Sequence, residues 1–144
     1  MLRDIQVTQQ FTIRQIYLKD LSFQAPSGAS IFTQNWAPKL KVDMQIGHGG
    51  VADGLTEVSL TLSVLATNGS ATAFMAEVVQ AGVFQISGYE GDALENLILG
   101  KCPNILLPYA REAIDAVIMK ARFPALLMDP IDFEARREAA KAGG

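Results

Sequence analysis

The chain has 144 residues, 49% of them apolar and 19% charged, with twelve basic against fifteen acidic side chains, one Cys, one His and one Trp. That length suits one core and a single domain over 1–144. A net charge of −3 and a pI near 5.1 argue against nucleic acid as partner, which needs a basic stripe; the lone Cys102 excludes a disulfide framework; and the longest charge-free run, 58–76, is too interrupted by Ser, Thr, Asn and Gly to span a bilayer.

The opening residues, MLRDIQ, have no apolar run behind Arg3 and no small-residue cleavage pattern, which leads us to expect a cytoplasmic protein without membrane insertion. A mean hydropathy of +0.20 is high for such a chain. Apolar surface should therefore be left over once one small core is filled, to face a partner subunit or a ligand.

Strand signals come first. Residues 11–23 read as a long strand whose apolar positions start in odd phase (Phe11, Ile13, Tyr17, Leu21, Phe23) but include Ile16 and Leu18, so a bulge or two-sided burial is expected. An apolar irregular stretch, 25–38, holds Ile31, Phe32 and Trp36. Leu40, Val42, Met44 and Ile46 then alternate with Lys41, Asp43 and Gln45, the pattern of a half-buried strand. His48 follows within a Gly-His-Gly-Gly run expected to form a solvated turn. Val58, Leu60, Leu62 and Val64 alternate with Ser59, Thr61 and Ser63. Asn68-Gly69 should close a tight antiparallel hairpin between strands 55–67 and 72–86.

Helix signals follow. Asp92 is placed to cap a short helix carrying Leu94, Leu97 and Ile98, with Pro103 expected to stop it. Beyond it, Leu106, Ala110, Ala113, Ile114, Val117 and Ile118 recur at spacings of 4, 3, 1, 3 and 1, an amphipathic stripe for the sheet or for another chain. A second apolar loop, 123–130, leads to Asp132, which should cap a last helix ending at Gly143. Its only large apolar residue is Phe133, so we expect it to be weakly anchored and mobile. The fold class is α+β, with strands over about 11–86 and helices over about 92–142.

The charges are segregated as well. Residues 42–100 contain no Lys or Arg but include Asp43, Asp53, Glu57, Glu77, Glu90, Asp92 and Glu95. Ordinary solvation accounts for this, or else a one-signed sheet surface that attracts a cationic protein. Catalytic chemistry is thin. One His and one Cys form no recognised pair, no cluster shows metal-ligand spacing, and the glycines at 47–50 lack the pattern of a phosphate loop. No cofactor, metal or enzymatic activity is expected, and a hot-dog-like enzyme is disfavoured because its long helix would come after the first strand.

Residues 11–26, FTIRQIYLKDLSFQAP, and 102–112, CPNILLPYARE, resemble the two signature stretches of the bacterial SecB export chaperones, and 82–86 and 123–126 fit the same family. The resemblance covers about 11–135. It implies a four-stranded antiparallel sheet with helices on one side, assembled as a homotetrameric dimer of dimers. Such a protein holds unfolded precursors in apolar grooves and delivers them to the SecA motor. By this resemblance the client groove would use Trp36, Leu40, Val42, Met44, Leu126, Leu127, Met128 and Phe133. SecA would meet Asp20, Gln24, Met75 and Glu77; the family usually carries Glu where this chain has Gln24, a loss that Asp43 or Glu57 would offset if they share that face. Residues 139–144 also lack the acidic tail of many members. Protomers would associate through the stripe Leu106, Ala110, Ala113, Ile114, Val117 and Ile118 and through the edge strand 11–21. A SecB-like chaperone dedicated to one client, such as an antitoxin, is the alternative.

Overall fold

The computed structural model describes residues 8–143. Four strands, β1 (Gln10–Gln24), β2 (Pro38–Ala52), β3 (Leu55–Asn68) and β4 (Ala71–Ser87), form one sheet in the order β1-β4-β3-β2. All neighbouring pairs are antiparallel. β3 and β4 form the hairpin that the sequence implies, but its two-residue turn is Gly69-Ser70, one residue later than expected: Gly69 takes φ +62° while Asn68 stays in the ladder opposite Ala71. The β2–β3 turn is not at His48. Residues 47–50 lie within β2, and the chain reverses at Asp53-Gly54, where Gly54 supplies φ +72°.

β1 resolves its mixed phase with two register shifts, between Ile13 and Gln15 and between Leu18 and Asp20. Each inserted residue flips the alternation. Phe11, Ile16 and Phe23 can therefore all pack towards one core although their numbers differ in parity.

Helix α1 (Gly91–Asn96) runs through a π-turn (Leu97–Lys101) into α2 (Cys102–Lys120). Pro103 does not stop the helix. It sits where the π-turn passes into α2, and the altered hydrogen-bond pattern of that turn accommodates a residue without an N–H. Asp92 caps nothing either: its carboxylate instead holds Lys141 and Arg137 of the last helix, α3 (Phe133–Gly143).

α2 lies across β3 and β4. Val58, Leu60, Leu62, Val64, Phe74, Val78 and Phe84 are buried against Leu106, Ala110, Ile114 and Ile118, each large side chain contributing about 1.5–3 kcal/mol. Gly82 permits this close approach, because a Cβ there would come within 2.7 Å of the Phe84 ring and 3.2 Å of Leu106 Cδ2. Leu106, Ala110, Ile114 and Ile118 therefore have no surface left to offer a neighbouring protomer, and the expected interface stripe is corrected accordingly. Only Ala113 and Val117 of that stripe stay partly accessible, while Tyr109 and Met119 are the exposed large residues of the helix.

A helix about 10 Å across cannot cover four strands spaced about 4.8 Å apart. Both outer strands consequently keep exposed apolar residues on the helix side: Ile13, Leu18 and Leu21 on β1, Leu40 and Val42 on β2. On the β2 side α3 residues share a depression with Met44 and Ile46; on the β1 side Lys101 reaches over the Phe11 ring.

Candidate client trough and partner face

On β2 the register sets Leu40 opposite Ala66, Val42 opposite Val64, Met44 opposite Leu62 and Ile46 opposite Leu60, all on the helix side. From Leu40 to Ile46 this strip runs about 20 Å at about 3.3 Å per residue. At one end an aromatic cluster forms around buried Phe123. Its ring lies 5.3 Å from Trp36, 5.4 Å from Phe32 and 4.9 Å from Phe74, spacings at which aromatic pairs attract. At the other end Met44 and Ile46 share a depression with Leu99 and Phe133.

Asn68 fixes the loop that carries Trp36. Its buried side chain accepts from Ala37 N at 2.8 Å and donates to Asn35 O at 2.9 Å and Gln34 Oε1 at 3.3 Å. The opposite wall hangs on the polar flank of α2. Arg111 donates to Met128 O at 3.0 Å, Leu126 N donates to Asp115 Oδ1 at 3.0 Å, and Phe133 N donates to Asn104 Oδ1 at 2.7 Å. Asp132 caps α3 as its position suggests, accepting from Glu134 N and Ala135 N. The Asn104 hydrogen bond, first, and these backbone donors hold its carboxyl below the ordinary carboxylate range. α3 is less bare than its sequence implies: Arg137 reaches Glu95 at 3.5 Å and Asn96 at 3.3 Å, and Gly100 leaves room for Glu134, whose Cγ lies 2.8 Å from where a Cβ would stand.

Of the residues expected to line a groove, Leu40 and Val42 are exposed; Trp36, Met44, Leu126 and Met128 are half-buried; Phe133 is buried; and Leu127 is 85% exposed with φ +52°. Phe133 thus serves the core more than the surface. Phe32, 57% exposed, Ile46 and Leu99 line the same depressions, although the resemblance does not assign them to the groove. Ile46 could have been added from sequence, since it continues the 40, 42, 44 alternation.

The other face of the sheet is polar. Three cross-strand rows run over it: Asp20–Val79–Thr61–Gln45, Ser22–Glu77–Ser63–Asp43 and Gln24–Met75–Leu65–Lys41. Asp20, Gln24, Met75 and Glu77 therefore share one face, with Met75 40% exposed near its middle. Ser22, Gln24, Lys41, Asp43, Met75 and Glu77 line one shallow depression there.

This face is not one-signed. Register and contacts place Arg14, Lys19, Lys39 and Lys41 on it together with Asp20, Asp43, Glu57 and Glu77, because the flanking strands supply the cations that 42–100 lacks. Asp43 stands in line with Glu77. Glu57, by contrast, is committed elsewhere: it accepts from Lys19 Nζ at 2.6 Å and from the Tyr17 hydroxyl. The Lys19 bond first, then that of Tyr17, holds the Glu57 carboxyl below its ordinary value, and the same contacts raise Lys19 and Tyr17.

Cys102 is fully buried, and desolvation pushes its thiol up to about 12, leaving an inert apolar group. His48 is exposed at the far end of the trough, beside Leu94 and Glu95. Among the described residues no three His, Cys, Asp or Glu are grouped so as to hold a metal, and no helix is long and apolar enough to cross a membrane.

A half-roofed apolar strip about 20 Å long, backed by a polar sheet face, defines a class of protein shaped to bind extended polypeptide. The family described as "Preprotein translocase subunit SecB" matches residues 4–142, and this chain belongs to the SecB family. It is 44% identical over 126 residues to the "Protein-export protein SecB" of Marinobacter nauticus, covering 88% of this chain and 76% of that one. With the protein of the same name from Cellvibrio japonicus the identity is 47%, covering 88% and 75%. Among solved structures, a SecB-like chaperone from Mycobacterium tuberculosis, in complex with a peptide from an antitoxin, shares the fold with a TM-score of 0.66 at 13% identity, over 85% of this chain and 91% of that one.

Proposed function

We propose that this chain is a cytoplasmic export holdase that keeps precursor proteins unfolded in the β2 trough and passes them to SecA through the opposite sheet face. The observation that carries this reading is the division of labour along single strands. Leu40, Val42 and Met44 point to the helix side while Lys41 and Asp43 point away; Phe74, Ala76 and Val78 fill the core while Met75 and Glu77 stand outside. A client and a motor can therefore occupy the molecule together. An apolar, adaptable wall containing Met128 and Leu127 suits clients that share no sequence. Asp20, Asp43 and Glu77 around exposed Met75 suit a partner that brings a cation and an apolar side chain. The uncovered β1 edge, with Ile13, Leu18 and Leu21, joins Tyr109 and Met119 as surface for protomer association into a dimer of dimers.

The test measures capture of an unfolded precursor and binding of SecA on the same variants. Leu40→Ser with Val42→Ser, both at exposed positions, should weaken precursor capture at least tenfold and leave SecA binding unchanged, whereas Glu77→Lys should do the reverse. Equal loss of both activities in either variant refutes the two-faced reading.

A further inference from the structure

The loop that carries Trp36 is pinned by one asparagine, and that asparagine stands before a glycine. Of Asn35, Asn68, Asn96 and Asn104, only Asn68 is followed by a residue without a side chain; the others precede Trp, Leu and Ile. In an Asn-Gly pair the backbone nitrogen reaches the preceding side-chain amide most readily, because glycine neither shields that nitrogen nor restricts the backbone around it. The folded chain opposes this approach twice. The carboxamide of Asn68 is buried and held at both ends, its oxygen by Ala37 N and its nitrogen by Asn35 O and Gln34 Oε1. The backbone of Asn68 is extended and paired on both sides, with Ala71 on β4 and Pro38 on β2, a conformation from which the Gly69 nitrogen cannot close on Asn68 Cγ. Gly69 itself is exposed. The reactive pair is thus complete, and only the loop and the end of the ladder keep it apart.

We infer that Asn68-Gly69 is a site of spontaneous deamidation gated by the 34–37 loop, and that conversion locks this loop open. When the loop lifts, the carboxamide loses its partners and the last rung of the β3–β4 ladder frays. The Gly69 amide nitrogen gives its proton to solvent and attacks Asn68 Cγ. The new C–N bond closes a succinimide ring, and Nδ2 takes up a proton and leaves as ammonia. Water from solvent then opens the ring at either carbonyl, so that amide and water have become carboxylate and ammonium. One opening gives an aspartate at position 68, the other an isomer whose main chain runs through the side-chain carbon. Neither product fits the original site. The aspartate turns a charge on the oxygens of Asn35 and Gln34 that formerly accepted from Asn68, and the longer main chain of the isomer breaks the register with Ala71. A reversible opening is thereby made permanent. Residues 35 and 37 flank Trp36, so each converted molecule has lost the fixed aromatic end of its trough, whatever that trough holds.

The full chain is incubated at neutral pH, folded and in parallel unfolded in guanidinium chloride, then digested and mapped by mass, an acid in place of an amide marking conversion. Isomerisation at the exposed Asp53-Gly54 turn leaves the mass unchanged and does not interfere. Conversion at Asn68 should be about thirtyfold slower in the folded chain, because two net hydrogen bonds hold the open population to about that level. Gln34→Ala removes one partner of Asn68, and Phe123→Leu removes the ring that lies 5.3 Å from Trp36; both leave residues 68 and 69 untouched. Each should speed conversion in the folded state about threefold or more. Converted protein, separated by its extra negative charge, should show Trp36 emission shifted towards that of solvated indole while its far-ultraviolet circular dichroism stays native. Folded-state conversion within about threefold of the unfolded rate, rates unmoved in both variants, or converted protein with the original Trp36 emission overturns the inference.

Discussion

Replacing Asn68 by Ala should loosen the trough from a position outside it. The side chain is 94% buried by its 6% exposure and makes two hydrogen bonds shorter than 3 Å to the backbone of residues 35 and 37, with a longer third to Gln34. Each of the two short bonds contributes about 1 kcal/mol net, and the amide of Ala37 loses its acceptor, so the cost is about 2–3 kcal/mol. For a chain of this size that corresponds to a fall in Tm of about 5–10 °C, measured at one protomer concentration because association shifts the midpoint. Trp36 is the only Trp of the chain and sits at the end of the segment that Asn68 pins. Its emission should therefore shift towards that of solvated indole in the folded variant, before any global unfolding. Asn68→Asp, which keeps the acceptor for Ala37 but buries a charge against the oxygens of Asn35 and Gln34, should cost at least as much as Asn68→Ala at neutral pH. A loss of stability under about 0.5 kcal/mol, or unchanged Trp36 emission, would refute the argument that this one amide fixes the wall.

Glu57→Gln removes the negative charge that Lys19 and Tyr17 share and leaves one acceptor oxygen where there were two. Because Glu57 is held below its ordinary 4.5, its contribution is complete above that value and fades as pH falls through the lower folded one; Tyr17 and Lys19, raised from 10.0 and 10.5, contribute below those values and lose their effect above them. The Tm difference between the original chain and the variant should thus be largest between about pH 5 and 9 and shrink at both extremes, and a gap that stays constant from pH 3 to 11 would contradict it. Gly82→Ala drives a methyl into Phe84 and Leu106 and should cost about 1–3 kcal/mol by urea denaturation; a neutral result would mean that α2 can lift away from the sheet. Cys102 should resist thiol reagents until the chain unfolds, and its labelling in the native state would show that the helix start opens locally.

What could be read from the sequence was whatever repeats over short distances. The alternation at 58–64 gave β3 its buried face, Asn68-Gly69 the place of its hairpin to within one residue, and Asp132 the start of α3. The misreadings share a cause. A Gly-rich run around His48 looks more turn-like than Asp53-Gly54, yet pairing with β3 holds 47–50 extended. Pro103 is a stop signal in isolation and is accommodated where a π-turn passes into α2. The stripe from Leu106 to Ile118 has one periodicity whether it serves its own sheet or a partner, and only the width of the sheet decides between them. The trough joins β2 to α3, about ninety residues later, and no local pattern carries such a contact. Its aromatic end was visible only as two loops more apolar than loops usually are.

Leu127 adopts a left-handed backbone conformation that Gly or Asn would accept freely and that costs a residue with a branched side chain about 1–2 kcal/mol. The same residue holds its isobutyl group almost wholly in water. Both facts count against stability, and either would be relieved by a single substitution to Gly. Strain and exposure fall together on this one residue, at the tip of the loop that leads into α3. Leu127→Gly should accordingly give a more stable protein and a poorer chaperone.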